Sequence, residues 1–128
     1  MATDPGTDGV PPDPLPDDSV LSLSEYLSMQ RAIGNETRFR LLRTLSHRGD
    51  TSATELREAL ELPANTLHYH LDELVDVGLV QNRKRSTADT DGLYSYYRAS
   101  AMGEAILEHG VEELMRRERE FLDRYGEA

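Results

Sequence analysis

The chain has 128 residues, enough for one domain with a short tail. It has no cysteine, which excludes disulfides, thiolate metal sites and thiol redox switching, and it lacks the apolar run of about 20 residues that a membrane helix needs. Its 24 acidic residues outnumber 14 basic ones, the net charge is −10, and Lys84 is its one lysine; such a surface suits a cytoplasm of molar salt, where screening cuts charge interactions to roughly 3 Å.

Residues 1–20 hold five of the six prolines and five aspartates, with little apolar content beyond Val10, Leu15 and Val20. They read as a disordered acidic tail. Ser22-x-x-Glu25 fits a capping box and opens a first helix with Leu23, Tyr26, Leu27 and Ile33 as its apolar positions, stopped by Gly34. Asn35 then caps a second helix from Glu36 to about His47, with Phe39, Leu41, Leu42 and Leu45 as its stripe and Gly49 as its stop. Thr51–Ala53 reads as a short extended segment. Thr54 is expected to cap a third helix, with Leu56, Ala59 and Leu60 facing inward.

Pro63 suits the start of a fourth helix, where its missing N–H costs nothing, and that helix is expected over Ala64–Val77. Leu67, Leu71, Leu74 and Val75 give it a core-facing stripe. After Gly78 two strand-like segments, Leu79–Arg85 and Leu93–Ala99, flank a polar loop that ends in Asp91-Gly92, which reads as a β-hairpin. Ser100 is placed to cap one last helix running to Arg124. In it Leu107, Val111, Leu114, Phe121 and Tyr125 are spaced as an a/d seam, with Glu118 in the gap, and pairing with a second copy follows. The organisation expected is thus a tail (1–20), a mainly α winged helix-turn-helix domain with a small hairpin wing (21–100), and a C-terminal dimerisation helix (101–128).

The fourth helix splits along its outer face. Its first half offers Ala64, Asn65, Thr66, His68 and Tyr69, all neutral, and its second half Asp72, Glu73 and Asp76, all acidic. A recognition helix enters the major groove by its N-terminal residues. Asn can bond adenine in a bidentate manner, Thr can bond a base or touch a thymine methyl, His can donate to guanine N7, and Tyr can reach phosphate. These five are the candidate base-reading residues, and solvation of the helix start is the plain alternative. Arg83, Lys84 and Arg85 open the hairpin and Arg98 returns on its second strand; with Ser52 and Thr54 they are the candidate phosphate contacts. The tip, Ser86–Asp91, carries no cation, so deep insertion into the minor groove is not expected. Tyr94, Tyr96 and Tyr97 are better explained by strand packing than by stacking on single-stranded bases.

The order Ala32–Leu42, then Thr66–Leu71 through Gly78-Leu79-Val80, then the Arg-rich hairpin, resembles the ArsR-like winged-helix transcriptional regulators, especially archaeal and haloarchaeal ones, over roughly Met29–Glu108. The resemblance implies a homodimer on an inverted repeat in double-stranded promoter DNA. Founding members sense metals through cysteines, which this chain lacks, or through His and acidic pairs on the terminal helix. Here His109-x-x-Glu112 matches half of that pattern without its upstream partner, so neither a metal nor a cofactor is expected. No serine–histidine–acid order or phosphate loop supports an enzyme. A sequence-specific DNA-binding regulator is the reading preferred, with salt cations drawn into the DNA interface by Asp72, Glu73 and Asp76, in the cytoplasm and away from membranes. The competing reading is a protein-binding winged helix of the transcription machinery that never touches DNA; the acid surplus favours it.

Overall fold

The computed structural model describes residues 9–86 and 93–126. Residues 9–20 carry neither helix nor strand, and a turn closes from Ser19 N–H to the Pro16 carbonyl at 3.0 Å. The element order is α1 (Leu23–Ile33), α2 (Glu36–Arg48), α3 (Ala53–Leu60), α4 (Ala64–Asp76), β1 (Val80–Ser86), β2 (Leu93–Ala99), α5 (Ala101–Glu108), α6 (Val111–Arg116) and α7 (Glu118–Tyr125). This is the mainly helical fold with a two-stranded wing that the sequence predicts. The loop tip beyond Ser86 lies outside the described residues.

Side chains set most helix starts. Ser22 and Glu25 cap each other at α1, and Asn35 accepts from the Arg38 N–H at α2. The cap of α3 is Ser52 and not Thr54, because Glu55, three residues on, completes a capping box with Ser52. The chain turns from α3 to α4 at Glu61, which holds the left-handed conformation (φ 54°). After α4, Gly78 at φ 84° makes the sharp exit toward the wing, a conformation that a side chain would oppose.

β1 and β2 pair antiparallel, Val80 with Ala99 through Ser86 with Leu93. Thr51 adds a third, one-residue rung on the far side of β2, exchanging two hydrogen bonds of 2.8 and 3.0 Å with Tyr97. The extended segment expected at Thr51 is this rung. Leu41, Leu42, Leu45, Leu56, Leu67, Leu71, Leu74 and Leu79 are fully buried and form the core that α2, α3, α4 and the base of the wing share. In α1 the inward side is Met29, Ala32 and Ile33, while Tyr26 and Leu27, expected as core, are exposed; Ala59 of α3 also points outward.

The C-terminal part departs furthest from expectation. Instead of one helix to Arg124, the chain breaks at Gly110 and bends again at Arg117. Gly110 sits at φ −108°, ψ −123°, away from helix geometry, and a Cβ there would meet the Ile106 carbonyl oxygen. Arg117 (ψ 23°) is gripped by Glu113 at 2.7 Å and Glu120 at 2.6 Å, one on each side of the bend. Leu107, assigned to the pairing seam, is instead buried in the domain's own core, because α5 packs against α2 and β2.

Candidate nucleic-acid interface

Leu67, Leu71 and Leu74 are buried, and that fixes which way the rest of α4 faces. Ala64, Asn65, His68 and Tyr69 are exposed, Tyr69 by 58%, and Thr66 is half-buried on the shoulder. Asp72 and Asp76 are exposed in the second half, with Glu73 half-buried. Helices α1, α2, α3 and α5 each have a side-chain cap, but the N-cap of α4 is Pro63, which offers none. The first amides of α4 are therefore left to solvent or to an incoming anion, at the end where the helix dipole favours one. No acidic residue stands in that first turn.

The position of α4 is set from behind. Arg38 of α2 reaches the His70 ring, Nη1 to Nδ1 3.1 Å, and its Nε donates to the Ala32 carbonyl at 2.7 Å. His70 is half-buried and structural, as expected from its place beside the leucine stripe.

The wing divides its cations by strand alternation. Arg83, Lys84 and Arg85 are all exposed, but the register pairs Arg83 with Tyr96, Lys84 with Ser95 and Arg85 with Tyr94. Residues paired across the ladder share a face. Lys84 therefore lies on the face of Asn82 and Tyr97, and Tyr97 turns that face to α4, because its ring joins Leu67, Leu71 and Leu74 in the core. Arg83, Arg85 and Arg98 lie on the opposite face.

There Arg85 covers the Tyr96 ring at 4.5 Å from its centroid and sits 3.6 Å from Asp50, with Arg98 at 3.9 Å from the same carboxylate. Arg85 and Arg98 thus have structural partners, and Arg83 has no ion pair among the described residues. Tyr96 and Tyr97 are buried, so neither ring offers a stacking platform.

At the start of α3, Thr54 is exposed and Ser52 is half-buried. The Ser52 N–H donates to the Glu55 carboxylate, 2.9 Å to Oε1. That carboxyl is held below its ordinary range chiefly by this bond. An anion at Ser52 would have to displace it. Asp50 and Arg38 position the site and were not anticipated from sequence, because no linear spacing places Asp50 beside Arg85 or Arg38 beside His70. Glu112 is engaged by Arg43 at 3.2 Å, while His109 faces Glu108, so the His109/Glu112 half-pattern is not assembled.

A family described as a helix-turn-helix domain matches residues 33–82, from the end of α1 into β1. The chain is similar to the arsenical resistance operon repressor of Bacillus subtilis, 32% identical over 75 residues, 59% of this chain and 66% of the repressor. It is also similar to the HTH-type transcriptional regulator KmtR of Mycobacterium tuberculosis, 36% identical over 87 residues, 68% of this chain and 59% of that regulator. Both matches thus span a little under two thirds of the relative's length. In fold it resembles a homodimeric winged helix-turn-helix DNA-binding domain from Mycobacterium bovis, described as a possible ArsR-family regulator, with a TM-score of 0.62, 23% identity, and coverage of 77% of this chain and 84% of that one. By fold the chain is a winged helix-turn-helix protein, and by sequence it is similar to HTH-type repressors and regulators over that domain.

Proposed function

We propose that this chain is a sequence-specific DNA-binding transcriptional regulator that acts as a homodimer on double-stranded promoter DNA in a high-salt, haloarchaeal type of cytoplasm. The observation that carries the reading is the exposed neutral row Asn65, His68 and Tyr69 at the one helix start among α1–α5 without a side-chain cap, held outward by three buried leucines. Asn65, Thr66, His68 and Tyr69 read base edges, with Ala64 allowing close approach. Lys84, on the same side as α4, and Arg83 hold phosphate; Arg85, Arg98, Ser52 and Thr54 support them from the flanks. The relatives named as a repressor and a regulator support this direction.

Pairing rests on α6 and α7. Val111, Leu114, Met115, Leu122 and Tyr125 are exposed there, and Phe121 is half-buried beside them. Five large apolar side chains on so short a stretch are poorly suited to water alone. The homodimeric state of the fold neighbour from Mycobacterium bovis is in line with this.

The acidic half of α4 sets the salt response. Asp72 and Asp76 stand beside the path of the DNA backbone, where cations can bridge carboxylate and phosphate. Uptake of cations offsets the usual counterion release, which costs about 0.9 log units of affinity per decade of salt for each phosphate neutralised. The test is fluorescence anisotropy with the DNA upstream of the chain's own gene, across a KCl series. Binding that is flat or rises with KCl is the expected result. A steep fall rejects the cation role and leaves DNA binding standing; no binding at any KCl concentration rejects DNA binding and favours the protein-binding module.

A further inference from the structure

The outer side of α2 does not face the recognition helix or the wing. It forms one wall of an open groove of about 880 Å³, closed by the end of α3 and by α6. Phe39, Leu60 and Met115 give this groove an apolar lining. Its rim carries four arginines, Arg40, Arg43, Arg48 and Arg116, against two carboxylates, Glu36 and Glu112. In a chain of net charge −10, four guanidinium groups around one apolar floor are a local surplus of positive charge.

The rim arginines differ in how far they are committed. Arg40 pairs within its own helix with Glu36 at 2.8 Å, and both side chains are largely exposed. Arg43 reaches across the groove to Glu112 of α6 at 3.2 Å. That contact already shows a carboxylate seated on Arg43 at the groove's edge. Arg116 spends one N–H on the Glu108 carbonyl at 2.9 Å. Arg48 makes no ion pair among the described residues.

We infer that this groove binds a small organic carboxylate with an apolar body, its carboxylate replacing Glu112 on Arg43 and its body lying on Phe39, Leu60 and Met115. The size falls within the range of small-molecule sites, about 300–1,000 Å³, and the composition is theirs too: an apolar lining with a few convergent polar groups. Guanidinium is the side chain suited to a carboxylate, through two parallel hydrogen bonds. Displacing Glu112 removes the ion pair that ties α6 to α2. The inference concerns a face away from α4 and stands whether or not the chain binds DNA.

The test is NMR of the full chain with ¹³C-methyl methionine, titrated with octanoate and, separately, with 1-octanol. Met115 lines the groove and Met29 lies buried in the core, so Met29 reports an intact fold. The Met115 signal is expected to move and saturate with octanoate, and to respond much less to octanol. Arg43→Gln is expected to weaken octanoate binding by about tenfold, the scale of one charged hydrogen bond, whereas Glu112→Gln is expected to strengthen it by removing the internal competitor. A Met115 signal that ignores octanoate, including because a second copy covers the groove, overturns the inference. Equal response to octanol, or indifference to both substitutions, overturns it as well.

Discussion

The Arg38 guanidinium stands 3.1 Å from the His70 ring nitrogen Nδ1, and this contact links α2 to the helix proposed to read DNA. A guanidinium can only donate, so Nδ1 accepts and the ring proton belongs on Nε2. The same arginine donates to the Ala32 carbonyl, so one side chain ties the end of α1, the first turn of α2 and the middle of α4 together.

Acid should loosen this link. His70 is held below its ordinary value of 6.5, first by burial and then by the Arg38 charge, with Glu73 opposing. A folded value below the unfolded one means that the unfolded chain takes up the proton more readily. The stability tied to neutral His70 is present in full above about pH 6.5 and is lost as pH falls through the lower folded value. Midpoints of chemical denaturation from pH 8 down to pH 5, in steps of about half a unit, should fall more steeply for the wild type than for His70→Gln, which can still accept from Arg38.

Gly103 fixes how closely α5 lies on the chain at the base of the wing. A Cβ at this position would collide with the Leu79 carbonyl oxygen and stand 3.2 Å from Leu42 Cδ1. Gly103→Ala is expected to destabilise the fold by about 1–3 kcal/mol, the cost of overpacking, although alanine is the better helix former. Urea denaturation measures it.

Arg83 and Arg85 should part company on substitution. Arg85→Ala removes the cover of Tyr96 and the contact with Asp50, so it should lower thermal stability as well as DNA affinity. Arg83→Ala should lower affinity for all sequences alike and leave the melting temperature unchanged. Calorimetry and anisotropy on the two variants separate the roles.

The terminal segments allow a similar separation. Leu114→Glu and Leu122→Glu place charge on exposed positions of α6 and α7 and should yield folded monomers in sedimentation. Leu107→Ala should instead cost about 2–5 kcal/mol of fold stability, as a core truncation.

Local signals made much of the fold legible. The leucine spacing in α4 and the caps at Ser22 and Asn35 are short-range patterns, and the structure carries them at the expected places. Capping chemistry also explains the misplacement at α3, where Thr54 and Ser52 are both able caps and only the partner Glu55 decides. The α5–α7 region is hidden from the sequence for a different reason. A heptad spacing runs through Gly110 and Arg117 without registering that the backbone breaks there, and periodicity alone cannot tell a core-facing Leu107 from an exposed Leu114. The division of the wing arginines into two faces needed the strand register, and the partnership of Asp50 with Arg85 and Arg98 needed the tertiary fold.

The outward face of α4 is best tested by selecting bound duplexes from a random DNA pool at high KCl, with the wild type and with Asn65→Ala. The wild type should enrich an inverted repeat, and Asn65→Ala should lose preference at one position in each half-site, at a cost of about 1–3 kcal/mol for the preferred base. An identical motif from both proteins, or no enriched motif from the wild type, contradicts base reading by this helix.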